Sequence, residues 1–491
     1  MQLIRKAAEV DFEYTLLQGD ASCEVSSLCY DSRKVKEGCL FICMKGAKFD
    51  SHTIIPEIIK NGAAVLVIDQ ECAYPEGVTV LKVKDSRKAL ACLSAAWFDF
   101  PSRKMFSVGI TGTKGKTTTA HMIRALLEYE GRKTGMIGTN GIFIGDKRIP
   151  TMNTTPESYE LQEAFARMVE EGCSHMVMEV SSQGIMLHRS DAIFFDIGIF
   201  TNISPDHIGP DEHRDFEEYL GYKTKLFEQC GTGLVNADDP HAADILKNAV
   251  CTDMYTFSEK ENADFRMRDF SLVTEKQFLG SKFLFSSAER ETECLVGIPG
   301  EFNAYNALAA FSAACLMKLK TDTLQHGLEK IRVNGRMEIA YTGEFTVLID
   351  YAHNAVSMES LLDTLRKYHP KRLVVVFGCG GNRSRDRRYS MGEIGGKKAD
   401  LSIITADNSR FEKVEDIMAD IRSRIAGTGG KFMEIPDRRE AIFYAVNHAL
   451  PGDMVAVIGK GHEDYQEING VRHHFLDREV VDEAVRGRGL S

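Results

Sequence analysis

The chain has 491 residues, 43% of them hydrophobic and 27% charged, and carries a formal net charge of −11. That is ordinary globular composition with length for about three domains. The acidic balance excludes a general nucleic-acid or anionic-membrane surface, because both need a basic face. The N-terminal stretch MQLIRKAAEVDFEY lacks the continuous apolar segment of a secretory signal. No run approaches the roughly 18–20 apolar residues of a membrane span. The 12 cysteines are scattered and form no C-x-x-C pair, which argues against zinc and for free thiols in a reduced, cytoplasmic protein.

Residues 1–103 read as a small α/β unit. A polar loop, DSRKVKEG, leads into a strand, CLFICM. PEIIKNGAAVLVID reads as helix, turn and buried strand. VTVLKV is another strand and SRKALACLSAAWFDF another helix, and Pro101 closes the unit.

Residues 104–333 open with the most informative stretch of the chain, KMFSVGITGTKGKTTTAHMIRALLE. The apolar run Met105 to Ile110 predicts a buried strand, and His121, Met122, Ile123, Ala125, Leu126 and Leu127 recur at helical spacing. Between them lies a Gly/Thr/Lys loop: Gly112, Thr113, Lys114, Gly115, Lys116, Thr117 and Thr118. Strand, glycine loop, helix is the geometry that holds a nucleotide phosphate. Glycines let the backbone approach phosphate oxygens, and the first-turn amides of the helix face the anion. Lys116 would reach the β/γ-phosphates and Thr117 would hold Mg²⁺. The spacing is a variant. Five residues separate Gly109 from Gly115 and two separate Gly112 from it, where the standard loop has four.

Further along, GRKTGMIGT predicts a strand, residues 157–171 an amphipathic helix, and SHMVMEVSS, FFDIGIFTNISPDH and GTGLVNADDP strands with polar ends. Parallel sheets place chemistry at such carboxyl ends. Glu179, Asp206 and His207 lie there and suit Mg²⁺ that bridges phosphates. Taken alone, Glu179 could be a capping or ion-paired residue. Residues 258–298 read as short antiparallel strands, and GEFNAYNALAAFSAACLM opens a helix.

Residues 334–491 alternate strand and helix, which predicts a parallel, Rossmann-like sheet. Strands run into the loops DYAHN, GCGGNRSRDRR, DNSR and GKGHE. The last three should share one edge and form a pocket. Arg383, Arg385, Arg387 and Arg388 cluster after one strand. Guanidinium forks match carboxylates and phosphates, but for most of these four a solvated basic loop is the expected reading.

GTKGKTTT, EVSSQG, TNISPDHIG, GEFNAYNALAA, GRME, DYAHN and GKGHE follow one order across all three units. In this the chain strongly resembles the Mur ligase family over almost its whole length. DSRKV, NTTPE at 153–157 and DNSR with GKGHE resemble its UDP-N-acetylmuramoyl-tripeptide synthetase (MurE-type) branch. The resemblance implies three α/β domains, with a central P-loop-type ATPase domain and a C-terminal Rossmann-like domain. It also implies ATP-dependent amide formation. The γ-carboxylate of D-Glu in UDP-MurNAc-L-Ala-D-Glu is phosphorylated, and a diamino acid's amine attacks the acyl phosphate.

The resemblance assigns the remaining candidates. Lys116, Lys223 and His207 are catalytic, and Thr117, Glu179, His207 and Lys223 serve Mg²⁺. Lys223 matches a lysine carbamylated in the family, although by itself it reads as a helix-surface lysine. Asn303 and Asn306 match the adenine side, and Arg336, Asp350 and His353 match ATP contacts. Ser32, Thr154, Thr155, Ser181 and Arg189 match positions that hold UDP-MurNAc-peptide. Arg383, Asp407, Asn408, Arg410, Gly459 and Glu463 match the diamino-acid pocket. Arg410 favours meso-diaminopimelate over L-lysine, because with lysine bound it would be a desolvated, unpaired charge.

The chain departs from the family pattern at Leu187, Ser51, Ala355, Ser409 and the IGPDEHRD run, where His213 is nearest to a usual histidine. An L-lysine-adding enzyme, a paralogue with another amine, a folate-polyglutamate-type ligase and a non-catalytic nucleotide-binding protein are the rival readings. The expected partners are small molecules, and the expected state is a monomer.

Overall fold

The computed structural model describes residues 2–46, 49–145, 147–209, 212–260, 262–275 and 278–490. Pro210 and Asp211 of the IGPDEHRD run lie outside the described residues. The chain packs as two compact units, Met1–Phe265 with Ser312–Leu319, and Arg266–Phe311 with Lys320–Ser491.

The first unit holds two sheets. A five-stranded sheet runs Thr15–Gln18, Thr79–Lys82, Ala63–Ile68, Cys39–Ile42, Ser27–Cys29, parallel except at its Thr15–Gln18 edge. Its Leu40, Ile42, Val65, Val67 and Leu81 form one apolar face. Leu90 and Leu93 of the helix Ser86–Trp97 join that core. Asp85 starts this helix by accepting hydrogen bonds from the amides of Arg87 and Lys88.

The second sheet of this unit runs Asp253–Ser258, Cys230–Asn236, Phe195–Phe200, Phe106–Thr111, His175–Glu179, Thr134–Gly138. These strands are parallel, and the pair Gly141–Ile144 and Lys147–Ile149 continues them antiparallel. The phosphate-loop strand, Phe106–Thr111, is therefore central, and a central parallel strand needs the apolar run found there. Its helix, Lys116–Tyr129, buries Met122, Ile123, Leu126 and Leu127, the apolar positions that predicted it.

Phe265–Glu275, Phe278–Ser286 and Glu291–Val296 form an antiparallel meander. The first two have 11 and 9 residues, so these strands are not the short ones expected. Alternating charged and apolar residues, as in Arg266-Met267-Arg268, sustain long strands with one wetted face.

The second unit also holds a six-stranded sheet in the order Glu338–Thr342, Thr346–Asp350, Asp453–Ile458, Arg372–Phe377, Leu401–Ile404, Phe432–Glu434. Only its first strand is antiparallel. The carboxyl ends of Thr346–Asp350, Asp453–Ile458, Arg372–Phe377 and Leu401–Ile404 thus share one edge, which gathers the loops DYAHN, GKGHE, GCGGNR and DNSR.

Of the four clustered arginines, Arg383 and Arg385 are exposed and Arg387 half-buried, and only Arg388 departs from the solvated reading. Arg385–Lys398 is a helix, and Arg388 is buried within it. Its guanidinium pairs with Glu412 at 2.8 Å and Asp420 at 2.9 Å. Arg388 joins two helices of the sheet's outer layer, and Arg383 alone of the group stays with the loop.

Candidate active site

The phosphate loop turns on two glycines with positive φ, Gly112 at +146° and Gly115 at +88°. A side chain on Gly112 would fall 2.0 Å from Thr201 Oγ1, so the position needs both glycine's conformation and its size. Asn202 braces the loop, its carbonyl accepting from Thr113 N at 2.8 Å and its Oδ1 from Lys114 N at 2.9 Å.

Two lysines meet at this loop. Lys116 Nζ donates to the carbonyls of Gly112 at 2.8 Å and Thr113 at 3.1 Å. Lys223 Nζ donates to the same Gly112 oxygen at 2.8 Å. Lys223 is 1% exposed, on the helix Phe216–Thr224, so the surface reading of this residue is overturned. Its Nζ lies 4.4 Å from the centre of the buried Tyr219 ring. Burial, and then the charge of Lys116, hold its pKa well below the ordinary 10.5, against a pull from Asp206.

Glu179 ends the neighbouring strand and is 1% exposed. Its carboxylate accepts from Thr117 Oγ1 at 2.9 Å, the Thr139 amide at 2.8 Å and Thr139 Oγ1 at 3.3 Å. These are neutral donors around a buried anion. A hydroxyl beside a carboxylate is the hard-oxygen donor set of Mg²⁺, so Thr117 and Glu179 fit that ion. Among the described residues no three His, Cys, Asp or Glu gather as a metal site. His207 stands on a left-handed turn at φ +55° with Nδ1 3.0 Å from Glu212 Oε1, and is half-exposed.

The peptide-side candidates adjoin Glu179. Thr155 Oγ1 donates to the Glu179 carbonyl at 3.0 Å and accepts from the Ser181 amide at 3.0 Å. Ser181 Oγ accepts from Gly184 N and starts the short helix Ser182–Met186. Thr154 Oγ1 is 3.0 Å from Thr139 Oγ1. Arg189 pairs with Glu157 at 2.7 Å and donates to the Thr155 carbonyl at 3.1 Å. Ser32 is not among them. It begins a separate short turn, Ser32–Lys34, capped by Asp31.

His213 is buried, with Nε2 2.8 Å from Ser182 Oγ, and its burial lowers its pKa. The departure at Ser51 is also structural, since its Oγ accepts from the Met44 amide at 2.8 Å and donates to the Met44 carbonyl at 3.0 Å. Ala355 opens the helix Ala355–Arg366 behind an Asn354 cap. Proline is favoured at that position but not required there.

In the second unit Asn303 and Asn306 are buried and joined at 3.1 Å, and Asn303 Nδ2 donates to the Pro299 carbonyl at 2.7 Å. Tyr351 is a hub for the other ATP-side candidates. The Arg336 guanidinium lies over its ring at 4.9 Å, His353 meets it edge-on at 4.8 Å and His462 at a tilt at 5.0 Å. Asp350 accepts from the amides of Met337 at 2.7 Å and Ala352 at 2.8 Å, and burial raises its pKa.

The diamino-acid candidates converge at the shared sheet edge. Asn408 Nδ2 donates to Glu463 Oε2 at 2.9 Å, and Gly381 N donates to the Asn408 carbonyl at 2.8 Å. Arg410 Nη1 donates to the Gly381 carbonyl at 2.7 Å. A side chain on Gly459, at φ +113°, would fall 2.6 Å from Asp407 Oδ2. Arg383 is exposed on the same loop as Gly381.

Two residues that sequence reasoning passed over stand out. Lys460 is fully buried and donates to the Tyr465 carbonyl, 3.4 Å from Glu463. It lies inside GKGHE, so the motif itself could have pointed to it. Glu467 Oε2 lies 3.4 Å from Arg410 Nε. Arg410 already has an anionic neighbour, which corrects the expectation that it would be unpaired without a second substrate carboxylate.

Three family models match in order. Residues 24–98 match the Mur ligase family catalytic domain, 110–314 the Mur ligase middle domain, and 335–461 the Mur ligase glutamate ligase domain. A Clostridium perfringens protein named UDP-N-acetylmuramoyl-L-alanyl-D-glutamate--2,6-diaminopimelate ligase is 39% identical over 493 aligned positions, covering 99% of this chain and all of the relative. The chain belongs to the Mur ligase family.

A Caldanaerobacter subterraneus protein of the same name is 40% identical, covering 95% of this chain and 96% of the relative. A solved structure of a ligase of that name superposes with a TM-score of 0.74 at 28% identity, covering 97% of this chain and 98% of that one. The fold is the three-domain α/β architecture of the Mur ligase family. Among the described residues no helix is long and apolar enough to cross a membrane.

Proposed function

We propose that the chain is an ATP- and Mg²⁺-dependent ligase that joins meso-diaminopimelate to the γ-carboxylate of D-Glu in UDP-MurNAc-L-Ala-D-Glu. The observation that carries this reading is likeness, at 39% identity from end to end, to a ligase named for that reaction. A carboxylate is a poor acyl donor, and phosphorylation by ATP gives it a leaving group. The amine then attacks the acyl carbon, the C–O bond to phosphate breaks, and inorganic phosphate leaves.

The domains of this reading are residues 1–103 for the UDP-MurNAc end, 104–333 for ATP and 334–491 for the amino acid. The five-stranded sheet ends at Lys82 and the six-stranded sheet begins at Glu338, which supports the first and third of these divisions. Gly112 to Thr118 cradle the phosphates, and Lys116 balances charge on the moving phosphoryl group. Thr117, Glu179 and His207 hold Mg²⁺, which neutralises phosphate charge when bound. Thr154, Thr155, Ser181 and Arg189 take the peptide end of the nucleotide substrate, with Ser32 towards its UDP end. Asn303, Asn306, Arg336, Asp350 and His353 serve ATP.

Lys223 becomes a carbamate. Its burial and low pKa support this, because only a neutral amine adds CO₂. The new N–C bond forms as a proton leaves, and a cation becomes an anion beside the Mg²⁺ ligands. In the amino-acid pocket Arg383 and Arg410 receive carboxylates, and Asn408 and Glu463 receive an ammonium group, with Asp407 and Gly459 shaping the loops. The scattered cysteines without a C-x-x-C pair and the acidic net charge support a cytoplasmic enzyme of small-molecule substrates, working as a monomer.

The test is ligation assayed as phosphate release with both acceptors. Turnover with meso-diaminopimelate and little with L-lysine is expected. Preference for lysine would overturn the choice of amino acid, and silence with both would overturn the reaction.

A further inference from the structure

Arg410 is held at both its backbone and its side chain. Its backbone is left-handed, at φ +51°, a conformation that strains a non-glycine residue. The hairpin Tyr465–Ile468 and Val471–His474 holds it there, since Arg410 N donates to the Glu467 carbonyl at 2.9 Å and Asn469 N to the Arg410 carbonyl at 2.6 Å. The side chain is fixed at two points, with Nη1 on the Gly381 carbonyl at 2.7 Å and Nε 3.4 Å from Glu467 Oε2. The Glu467 amide is itself anchored on Asn408 Oδ1 at 2.9 Å. One short hairpin therefore fixes the arginine and presents it with a carboxylate.

Glu467 also faces a second cation. Arg472 is its direct cross-strand partner in the hairpin, and such partners have Cβ atoms about 4.5–5.5 Å apart. Arg472 stacks on the Tyr465 ring at 4.3 Å, so its guanidinium is stationed on the hairpin. Glu467 thus has one arginine beside it and another directly across the hairpin.

We propose that Glu467 is a resident counter-ion that sets how strongly Arg410 demands a second carboxylate from the acceptor. With the pocket empty, or with an acceptor lacking that carboxylate, Glu467 neutralises Arg410. An incoming carboxylate displaces it, and Arg472 receives it, so the displacement does not strand a charge. Glu467 positions and neutralises Arg410 without touching the reacting atoms. The proposal rests on the reading of Arg410 as the carboxylate site.

The test measures kcat and KM for meso-diaminopimelate and L-lysine in the wild type, E467Q, E467D, R472A and the E467Q/R472A pair. E467Q removes the competitor. KM for meso-diaminopimelate should fall about two- to fivefold, the range of a partly exposed ion pair, while KM for lysine rises. E467D should restore wild-type discrimination. R472A should raise KM for meso-diaminopimelate when Glu467 is present and have no further effect when it is absent. A rise in KM for meso-diaminopimelate in E467Q, or a diaminopimelate/lysine ratio unchanged in both E467Q and R472A, would overturn the proposal. Wild-type turnover with meso-diaminopimelate alongside that result would leave the reading of the reaction standing. No wild-type turnover with either acceptor would remove both.

Discussion

Lys223 Nζ and the Gly112 carbonyl lie 2.8 Å apart, joining a buried lysine on one helix to the first glycine of the phosphate loop. Lys116 donates to the same oxygen. Two ammonium groups on one carbonyl repel each other, and the buried one is the easier to neutralise. Lys223→Ala should lower turnover at least about 100-fold, a typical loss for an electrostatic catalytic group. Lys223→Glu, which supplies an anion without CO₂, should recover part of it. With ¹³C-labelled bicarbonate the wild type should show a carbamate resonance, and Lys223→Ala should not.

The same lysine gives a pH dependence of known sign. Unfolded, it keeps its proton up to about 10.4. Folded, it releases the proton well below its ordinary 10.5. Between the two values the unfolded chain binds more protons, so the contribution of Lys223 to stability rises with pH across that window. Urea titrations from pH 7 to pH 9 should show the wild type gaining stability relative to Lys223→Met. A gain equal in both proteins would contradict this.

Thr117 and Glu179 form one unit at 2.9 Å. Thr117→Ser keeps the hydroxyl and should remain active, whereas Thr117→Val and Glu179→Gln should each raise the Mg²⁺ concentration needed for half-maximal rate. Magnesium titration of phosphate release measures this. Equal Mg²⁺ requirements in all four proteins would remove the ion from this position.

Arg438 and Asp477 are fully buried and paired at 2.7 Å. Arg438 also donates to the carbonyls of Ile458 at 3.0 Å and Ala406 at 3.3 Å, just before Gly459 and Asp407. Asp477→Ala strands the guanidinium and should cost about 3–5 kcal/mol of stability. Denaturant unfolding followed by hydrogen exchange at the second unit would locate the loss.

Gly459→Ala should act on binding. The new methyl group would crowd Asp407 Oδ2, and the φ of +113° disfavours any side chain. The expected cost of about 1–3 kcal/mol should appear in KM for the diamino acid, with KM for ATP little changed.

The phosphate loop was legible because its apolar strand, glycines and helical spacing are local. The strands ending at Glu179 and Asp350 were legible for the same reason. Which of the four arginines is buried was not legible, because the partners of Arg388, Glu412 and Asp420, lie 24 and 32 residues away. Burial of Lys223 was equally hidden, since the helix Phe216–Thr224 has only a weak apolar stripe and the loop that covers it lies 111 residues upstream. The hairpin carrying Glu467 is short, and its second strand, Val471–His474, is exposed throughout. No apolar alternation marked it, so the counter-ion of Arg410 emerged only from the fold.

The most direct measurement is phosphate release from ATP and Mg²⁺ with UDP-MurNAc-L-Ala-D-Glu, offering meso-diaminopimelate and L-lysine in parallel to the wild type and Arg410→Ala. The account predicts turnover with meso-diaminopimelate, much less with lysine, and a loss in Arg410→Ala confined to meso-diaminopimelate. Equal losses with both acceptors, or wild-type preference for lysine, would contradict it.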